Sequence, residues 1–442
     1  MRWWLGVGFG LVVGILLAWW AVRGQPRHAV AVSGSMEPSI PAPIQWVHCD
    51  RCQIRFGQCQ SALDLERPIV CHLCGDTQTR LDDRMQVPPS IAYLPHSGNY
   101  QIGDLAVFDD RLGKGIKRIV GAPADLVSIE EGDLIVNGVR FQKGLRAFLS
   151  QAILVDTFDQ NKHPNSRWEG DNQHYASSLS ELIENTTWHR FHYGKTLGLP
   201  DAGYAILDDY WLNQGEKLRP VEVEDFGIVL ESLELPDDSI VDIVLQSLSA
   251  KQHFQLTRQL PYWILYRCDS SDQPQSTPRA LQRHELARWK HPSHSLPWFC
   301  LAKVDQRWIG GISSFPSEWA EDIERTSNLE SPIPTPAKRE ANPISLRFES
   351  RQSKLDRMHV LRDTYYRASF GQRNGIVSER SPGWTVLGDN VSISDDSRTD
   401  FPGGIPSQNL RGKVVPNADP LHQLRRQIHL YYDRDPAQVR SL

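Results

Sequence analysis

The sequence lacks any excess of positive charge. Its 48 Lys and Arg residues are outnumbered by 53 Asp and Glu, which gives a formal net charge of -5. Proteins that mainly bind nucleic acid usually carry a strongly basic patch or stripe. We therefore expect no nucleic-acid partner. The chain also shows no internal repeat.

Turn-forming residues, in contrast, are plentiful. The 442 residues include 29 Pro and 31 Gly, a content that favours a β- and turn-rich protein over a helical bundle. The length is sufficient for two or three domains with a sizeable core. Between residues 142 and 380, short alternating apolar runs recur and turn-rich stretches separate them, as in a β-sandwich. We expect a mainly β fold.

Charge is absent from the first long apolar run, Trp3 to Val22. Twenty residues at the helical rise span about 30 Å, the thickness of a bilayer core. Tryptophans stand at both ends of the run, where indoles prefer the headgroup level. We interpret residues 1–23 as a transmembrane anchor. The alternative is a cleaved signal peptide that ends near Ala29-Val30-Ala31.

Cysteine is scarce and unevenly placed. Four of the seven residues form two Cys-x2-Cys pairs, Cys49/Cys52 and Cys71/Cys74. Two such pairs supply four thiolates for a tetrahedral Zn²⁺ ion. Because protein would fill all four positions, the site would be structural. We therefore predict a zinc-ribbon-like insert over residues 47–85, with disulfides or a redox pair as alternatives.

A serine-rich segment, Ser33-Gly34-Ser35-Met36-Glu37-Pro38, follows the apolar run. A serine hydroxyl becomes a nucleophile only when a base takes its proton. A lysine amine can be that base where burial and apolar neighbours lower its pKa. Lys117 fits this requirement because it interrupts an apolar run, Gly115 to Gly121. Lys114 is an alternative, although it stands between glycines in an expected turn.

The order of four motifs resembles that of the type I signal peptidases. After the anchor, the chain has the Ser-x-Ser-Met-x-Pro segment, a Gly-Asp strand, a Lys-Arg-x-x-Gly-x-Pro-x-Asp run and a Gly-Asp-Asn…Ser-x-Asp-Ser-Arg run. In this sequence they are Ser33–Pro38, Gly103–Phe108, Lys117–Asp125, and Gly388–Asn390 with Ser394–Arg398. One departure is Ala124, which stands where this family usually has a glycine.

The resemblance implies a Ser/Lys dyad that needs no cofactor. Ser35 would be the nucleophile and Lys117 the general base. The Ser33 hydroxyl and the Ser35 backbone N–H would form the oxyanion hole. Ser394 would orient the Lys117 amine.

The resemblance also implies that Asp396 and Arg398 form a supporting ion pair. The protein would be a membrane-anchored serine endopeptidase, a hydrolase that cleaves signal peptides from exported preproteins through an acyl-enzyme intermediate. Its partners would be preproteins and the lipid bilayer. It would be a single-pass protein of the cell membrane, cytoplasmic or inner, with the catalytic domain on the extracytoplasmic side.

The expected organisation is a signal-peptidase-like β core with two inserts. The core would comprise residues 24–46, 86–141 and 381–418, followed by a tail over 419–442. Residues 142–380 would form an inserted β-sandwich of jelly-roll, lectin-like type, with a carbohydrate or a protein as its ligand. An alternative function is that of a catalytically lapsed relative that binds partners at the membrane through this insert.

Overall fold

The computed structural model describes most of the chain beyond the apolar run. The described residues are 25–95, 98–111, 113–160, 166–171, 175–193, 206–208, 221–247, 251–268, 282–313, 342–369, 372–417, 419 and 421–431. The fold is mainly β, as predicted.

The chain divides into two compact units, each made of three segments. The first unit comprises the described residues within the ranges 1–44, 86–139 and 366–417, and the second comprises those within 45–85, 140–365 and 418–442. The domain limits drawn from the sequence stay a prediction.

The described residues of the first unit form two antiparallel sheets. The six-stranded sheet has the order β1-β5-β25-β6-β7-β24, and the four-stranded sheet the order β10-β9-β8-β23. Their strands are β1 (Arg27–Ala29), β5 (Ile91–Pro95), β6 (Leu105–Asp110), β7 (Gly113–Gly121), β8 (Leu126–Glu130), β9 (Asp133–Val136), β10 (Val139–Arg140), β23 (Gly375–Glu379), β24 (Thr385–Leu387) and β25 (Leu410–Val414).

A two-residue turn joins β9 to β10. Asn137 has φ 52° and Gly138 has φ 80°. Positive φ at both central residues matches a type I′ turn, whose twist suits an antiparallel hairpin. Asn-Gly is the residue pair that adopts this conformation most readily, so this hairpin could be predicted from the sequence.

Ala124 has a left-handed backbone, with φ 71°. Its N–H donates to the carbonyl of Ser381 at 2.8 Å, which keeps this loop before β8 in place. Only glycine adopts such a φ without steric cost.

We expect Ala124→Gly to raise the free energy of unfolding by about 0.5 to 1 kcal/mol, since the relief of strain exceeds the entropy gained by the unfolded chain. Chemical denaturation of both proteins measures this, and a less stable variant would contradict it.

Within the described part of the second unit, the chain forms three sheets and three helices. The sheet orders are β3-β2-β4, β11-β22-β14-β19-β20 and β12-β13-β21-β15-β16-β17-β18. The elements are β2 (Ile44–Cys49), β3 (Arg55–Cys59), β4 (Thr79–Gln86), α1 (Leu145–Gln151), β11 (Ile153–Asp159), β12 (Trp168–Gly170), α2 (Leu179–Glu184), β13 (His189–Phe191), β14 (Phe226–Glu234), β15 (Ile240–Gln246), β16 (Lys251–Gln259), β17 (Tyr262–Cys268), β18 (Arg283–Lys290), β19 (Ser295–Val304), β20 (Arg307–Ser313), β21 (Ile344–Phe348), β22 (Arg357–Arg362) and α3 (His422–Tyr431).

The five-stranded and seven-stranded sheets share one apolar core. This core includes fully buried side chains from both sheets, among them Ile228 and Phe299 of the five-stranded sheet and Ile243 and Leu256 of the seven-stranded sheet. Residues alternate between the two faces of a strand, so one face of each sheet fills this core. The opposite face of the five-stranded sheet packs against helices α1 and α3. The jelly-roll, lectin-like form of this region stays a prediction.

Within the described residues, no helix is long and apolar enough to span a membrane. The predicted anchor over residues 1–23 lies outside the described part of the chain.

Candidate active site

Lys117 lies in the middle of β7, opposite Ala106 of β6. Its side chain is only 6% exposed. The ring of Phe108 lies directly against Gly115, two residues earlier on the same face, where an added Cβ would come within 2.5 Å of the ring. Burial lowers the pKa of the Lys117 amine because it disfavours the charged form, whereas the carboxylates of Asp396 and Asp395 oppose this shift.

The Ser394 hydroxyl accepts a hydrogen bond from the buried Lys117 amine. Lys117 Nζ lies 2.8 Å from Ser394 Oγ, and Ser394 is fully buried. A lysine has a flexible four-carbon stem, so a hydrogen bond of this kind selects one orientation of the amine. The structure therefore brings together the two residues predicted to be the general base and its orienting partner.

Gly388 is the point at which the Ser394 loop meets the Ser35 segment. A Cβ added to Gly388 would lie 2.0 Å from Ser394 Oγ and 2.6 Å from the Ser35 carbonyl oxygen. The N–H of Asn390 donates to that same carbonyl at 3.1 Å. No side chain fits at residue 388, and this lets the backbone of Ser35 approach the loop that holds the amine.

The serine segment forms consecutive turns. The N–H of Glu37 donates to the carbonyl of Gly34 at 3.1 Å. The Ser33 hydroxyl donates to Ser35 Oγ at 3.5 Å. Among the described residues, no hydrogen bond joins Ser35 Oγ to Lys117 Nζ. Such bonds are often long in a free enzyme and shorten when substrate binds.

Asp396 and Arg398 form a buried ion pair. Arg398 Nη2 lies 2.7 Å from Asp396 Oδ2, and Nε lies 2.8 Å from Oδ1. The guanidinium also donates to the carbonyls of Val391 and Ser394. The N–H of Gly388 donates to Asp396 Oδ2 at 3.0 Å. The pair therefore stabilises the loop that carries Ser394, and Asp396 adds a negative charge near the amine.

A second buried ion pair was not predicted. Arg118 donates to Asp389 through Nε at 2.7 Å and through Nη2 at 2.6 Å. Arg118 Nη2 also donates to Ser39 Oγ at 2.9 Å. Arg118 directly follows Lys117, and Asp389 directly follows Gly388, so both lie within the sequence motifs. A sequence alone, however, does not indicate which charges pair. Burial by itself lowers the pKa of Arg118, but the charge and hydrogen bonds of the Asp389 carboxylate outweigh it and raise this pKa above its ordinary value.

In the second unit, the four paired cysteines converge. Their sulfur atoms all lie within 4.8 Å of one another. Cys49 Sγ is 3.6 Å from Cys74 Sγ, and Cys52 Sγ is 3.7 Å from Cys71 Sγ. A disulfide bond is much shorter, near 2.05 Å. Sulfur atoms around a tetrahedral Zn²⁺ are about 3.8 Å apart, because each Zn–S bond is about 2.3 Å long.

Both cysteine pairs have the same local backbone. The N–H of Gln53 donates to the Cys49 carbonyl at 3.0 Å, and that of Gly75 to the Cys71 carbonyl at 2.7 Å. Gln53 and Gly75 both have positive φ. Each pair thus closes a tight turn that places its two thiols on one side, so the four cysteines fit a metal of tetrahedral preference.

A serine nucleophile that uses an amine as its base requires a buried lysine beside a serine-bearing loop, and this unit has both. Residues 4–182 match the family model described as signal peptidase, peptidase S26. The resemblance to the signal peptidases is therefore confirmed over these residues, which include Ser35 and Lys117. The Gly388–Arg398 motif lies outside the matched range. No curated protein matches the chain.

Solved structures give only remote similarity. A GH43 protein, BlXynB, from Bacillus licheniformis is 10% identical, with 63% of this chain and 50% of that chain covered and a TM-score of 0.24. A bifunctional GH43-CE protein from Bacteroides eggerthii is 9% identical, with 72% and 43% covered and a TM-score of 0.24. This chain spans about half the length of the solved structures that it matches.

Proposed function

We propose that this protein is a membrane-anchored serine endopeptidase that removes signal peptides from exported preproteins. The observation that carries the proposal is the position of the buried Lys117 amine, 2.8 Å from Ser394 Oγ. The loop of Ser394 also contains Gly388, which adjoins the Ser35 carbonyl. A neutral amine at this place is the base that a serine nucleophile needs. The family match supports the same reaction class.

The reaction begins when Ser35 Oγ attacks the carbonyl carbon of the scissile peptide. Lys117 Nζ accepts the hydroxyl proton and later gives it to the leaving amine. The resulting oxyanion takes hydrogen bonds from the Ser35 N–H and the Ser33 hydroxyl. The mature protein leaves with its new amino terminus, and the signal peptide remains as an ester on Ser35. Lys117 then deprotonates a water molecule that attacks this ester, and the proton passes from Lys117 to Ser35 Oγ as the signal peptide leaves with its new carboxyl terminus.

The remaining site residues position this dyad. Ser394 orients the amine, and the Asp396–Arg398 pair stabilises the loop that holds Ser394. An anchor over residues 1–23 would keep the site at the extracytoplasmic face of the cell membrane. Tethering enzyme and preprotein to one bilayer raises their effective concentration.

A structural Zn²⁺ bound by Cys49, Cys52, Cys71 and Cys74 belongs to the same proposal. The sulfur separations and the two matching turns support it. Four protein ligands leave no position for water or substrate, so the metal would stabilise its module without taking part in proteolysis.

Trapping the ester tests the nucleophile. After mixing with a preprotein and rapid acid quench, we expect the signal peptide on the fragment that contains Ser35, identified by mass spectrometry. Ser35→Ala should form no adduct. Ser33→Ala, the matched control, should form the adduct on Ser35 about 100-fold more slowly, because one oxyanion donor is lost. An adduct on another residue, or undiminished cleavage by Ser35→Ala, would refute the proposal.

A further inference from the structure

Tyr366 is the first residue of the third segment of the first unit. Its hydroxyl donates to Asp389 Oδ1 at 3.2 Å. Its side chain is 3% exposed, and its N–H donates to the carbonyl of Gly132 at 3.2 Å. The residue lies in none of the four motifs, and nothing in the sequence indicates a role for it.

The carboxylate that Tyr366 contacts occupies a central position in the site. Asp389 is fully buried and binds the guanidinium of Arg118, the residue that follows Lys117. Its neighbours in the chain are Gly388 and Asn390, which adjoin the Ser35 carbonyl. A shift of Asp389 would therefore displace the strand of the base and the loop beside the nucleophile together.

We propose that Tyr366 is a positioning residue for proteolysis, whose hydroxyl holds Asp389 where it orients Arg118 and the Gly388 loop. This inference rests on the proposed function of the same site. Two donors from Arg118 and one from Tyr366 share the buried carboxylate. A charge-assisted hydrogen bond of this kind is stronger than a neutral one and specifies geometry.

Tyr366 also moderates the negative charge near the base. Asp396, Asp395 and Asp389 favour the cationic form of Lys117, whereas Arg398 disfavours it. A hydroxyl that donates to Asp389 disperses part of that negative charge. Without this hydroxyl the carboxylate acts more strongly on the amine, so the pKa of Lys117 should rise. Since only the neutral amine accepts the Ser35 proton, the enzyme would then need a higher pH.

The test compares pH profiles of preprotein cleavage for the full-length protein, Tyr366→Phe and Tyr365→Phe. For Tyr366→Phe we expect the acid limb of kcat/KM to move up by about half a pH unit. At neutral pH, kcat should fall about three- to ten-fold with KM unchanged. Tyr365→Phe is the matched control, because Tyr365 packs with Val221 and Val223 in the second unit, and its profile should equal that of the wild type. A Tyr366→Phe profile identical to that of the wild type would overturn the inference.

Two further measurements separate this inference from the proposed function. If the wild type cleaves no preprotein, the proposed function fails, but NMR titration of ¹³C-labelled lysine still reports the pKa of Lys117 in wild type and Tyr366→Phe. An unchanged value would overturn the inference. If Tyr366→Phe does not fold, 3-fluorotyrosine at residue 366 replaces it. This residue is a stronger donor, so it should lower the pKa of Lys117. A rise or no change would count against the role of Tyr366.

Discussion

Replacing Lys117 with methionine should abolish preprotein cleavage, with a loss of kcat/KM of roughly a thousand-fold or more. Methionine keeps the length and apolar stem of the side chain but cannot accept a proton from Ser35. General bases contribute about 10² to 10⁴-fold, and removing one member of a cooperative dyad removes most of its effect. The measurement is the rate of preprotein cleavage by purified, detergent-solubilised protein.

Lys114→Met is the matched control for Lys117→Met. Lys114 lies on the same strand, three residues earlier, where its amine bonds to the hydroxyl of Tyr93 at 3.1 Å. It should keep nearly full activity. If Lys114→Met were inactive and Lys117→Met active, the base would be misassigned to Lys117.

The Lys117 variant should not lose stability. A buried amine costs desolvation free energy that a methionine avoids. The pKa of Lys117 in the folded protein lies below its ordinary value of 10.5, so the unfolded chain binds more protons at pH values between the two. In that window the contribution of Lys117 to stability rises with pH. We expect the cleavage rate also to rise with pH through the lowered pKa, for a separate reason: the amine must be neutral to act as the base.

Local features of this fold could be predicted from the sequence. The Asn137-Gly138 turn, the buried lysine of β7 and the two cysteine turns each depend on a few consecutive residues. Their signals are the φ preferences of Asn and Gly, an apolar run with one cation in it, and thiols at a fixed spacing. These signals are independent of the rest of the chain.

Pairings between distant segments could not be predicted. Arg118 and Asp389 are 271 residues apart, and many other acidic residues could have paired with Arg118. Strand β25 enters the six-stranded sheet between β5 and β6, although about 300 residues separate it from either. Strand β23 lies in the range predicted for the insert, yet it pairs with β8 of the first unit. Periodicity predicts that a strand exists but not its neighbour.

Replacing Cys71 with serine should remove zinc and unfold the cysteine-bearing module. Its core consists of few apolar side chains, among them Val47, Ile54 and Phe56, packed around the thiols. Metal binding supplies about 10 to 16 kcal/mol in isolated zinc-finger peptides. Because the unfolded chain has no preformed site, this binding free energy stabilises the folded module. We expect one zinc ion per chain in the wild type and none in Cys71→Ser, as measured by elemental mass spectrometry.

Loss of the metal should also be visible in helix α3, which packs on this module. The rings of Trp46 and His429 lie 5.5 Å apart, and those of His72 and Tyr431 lie 4.3 Å apart. Hydrogen exchange should therefore accelerate over residues 44–60 and 422–431 in Cys71→Ser and in chelator-treated wild type.

Cys59→Ser is the matched control, because Cys59 is buried in the same module but lies outside the four-sulfur cluster. If the wild type contains no zinc and its mass lacks the four thiol hydrogens, the four cysteines form two disulfides instead. Disulfides would then stabilise this small module in place of a metal.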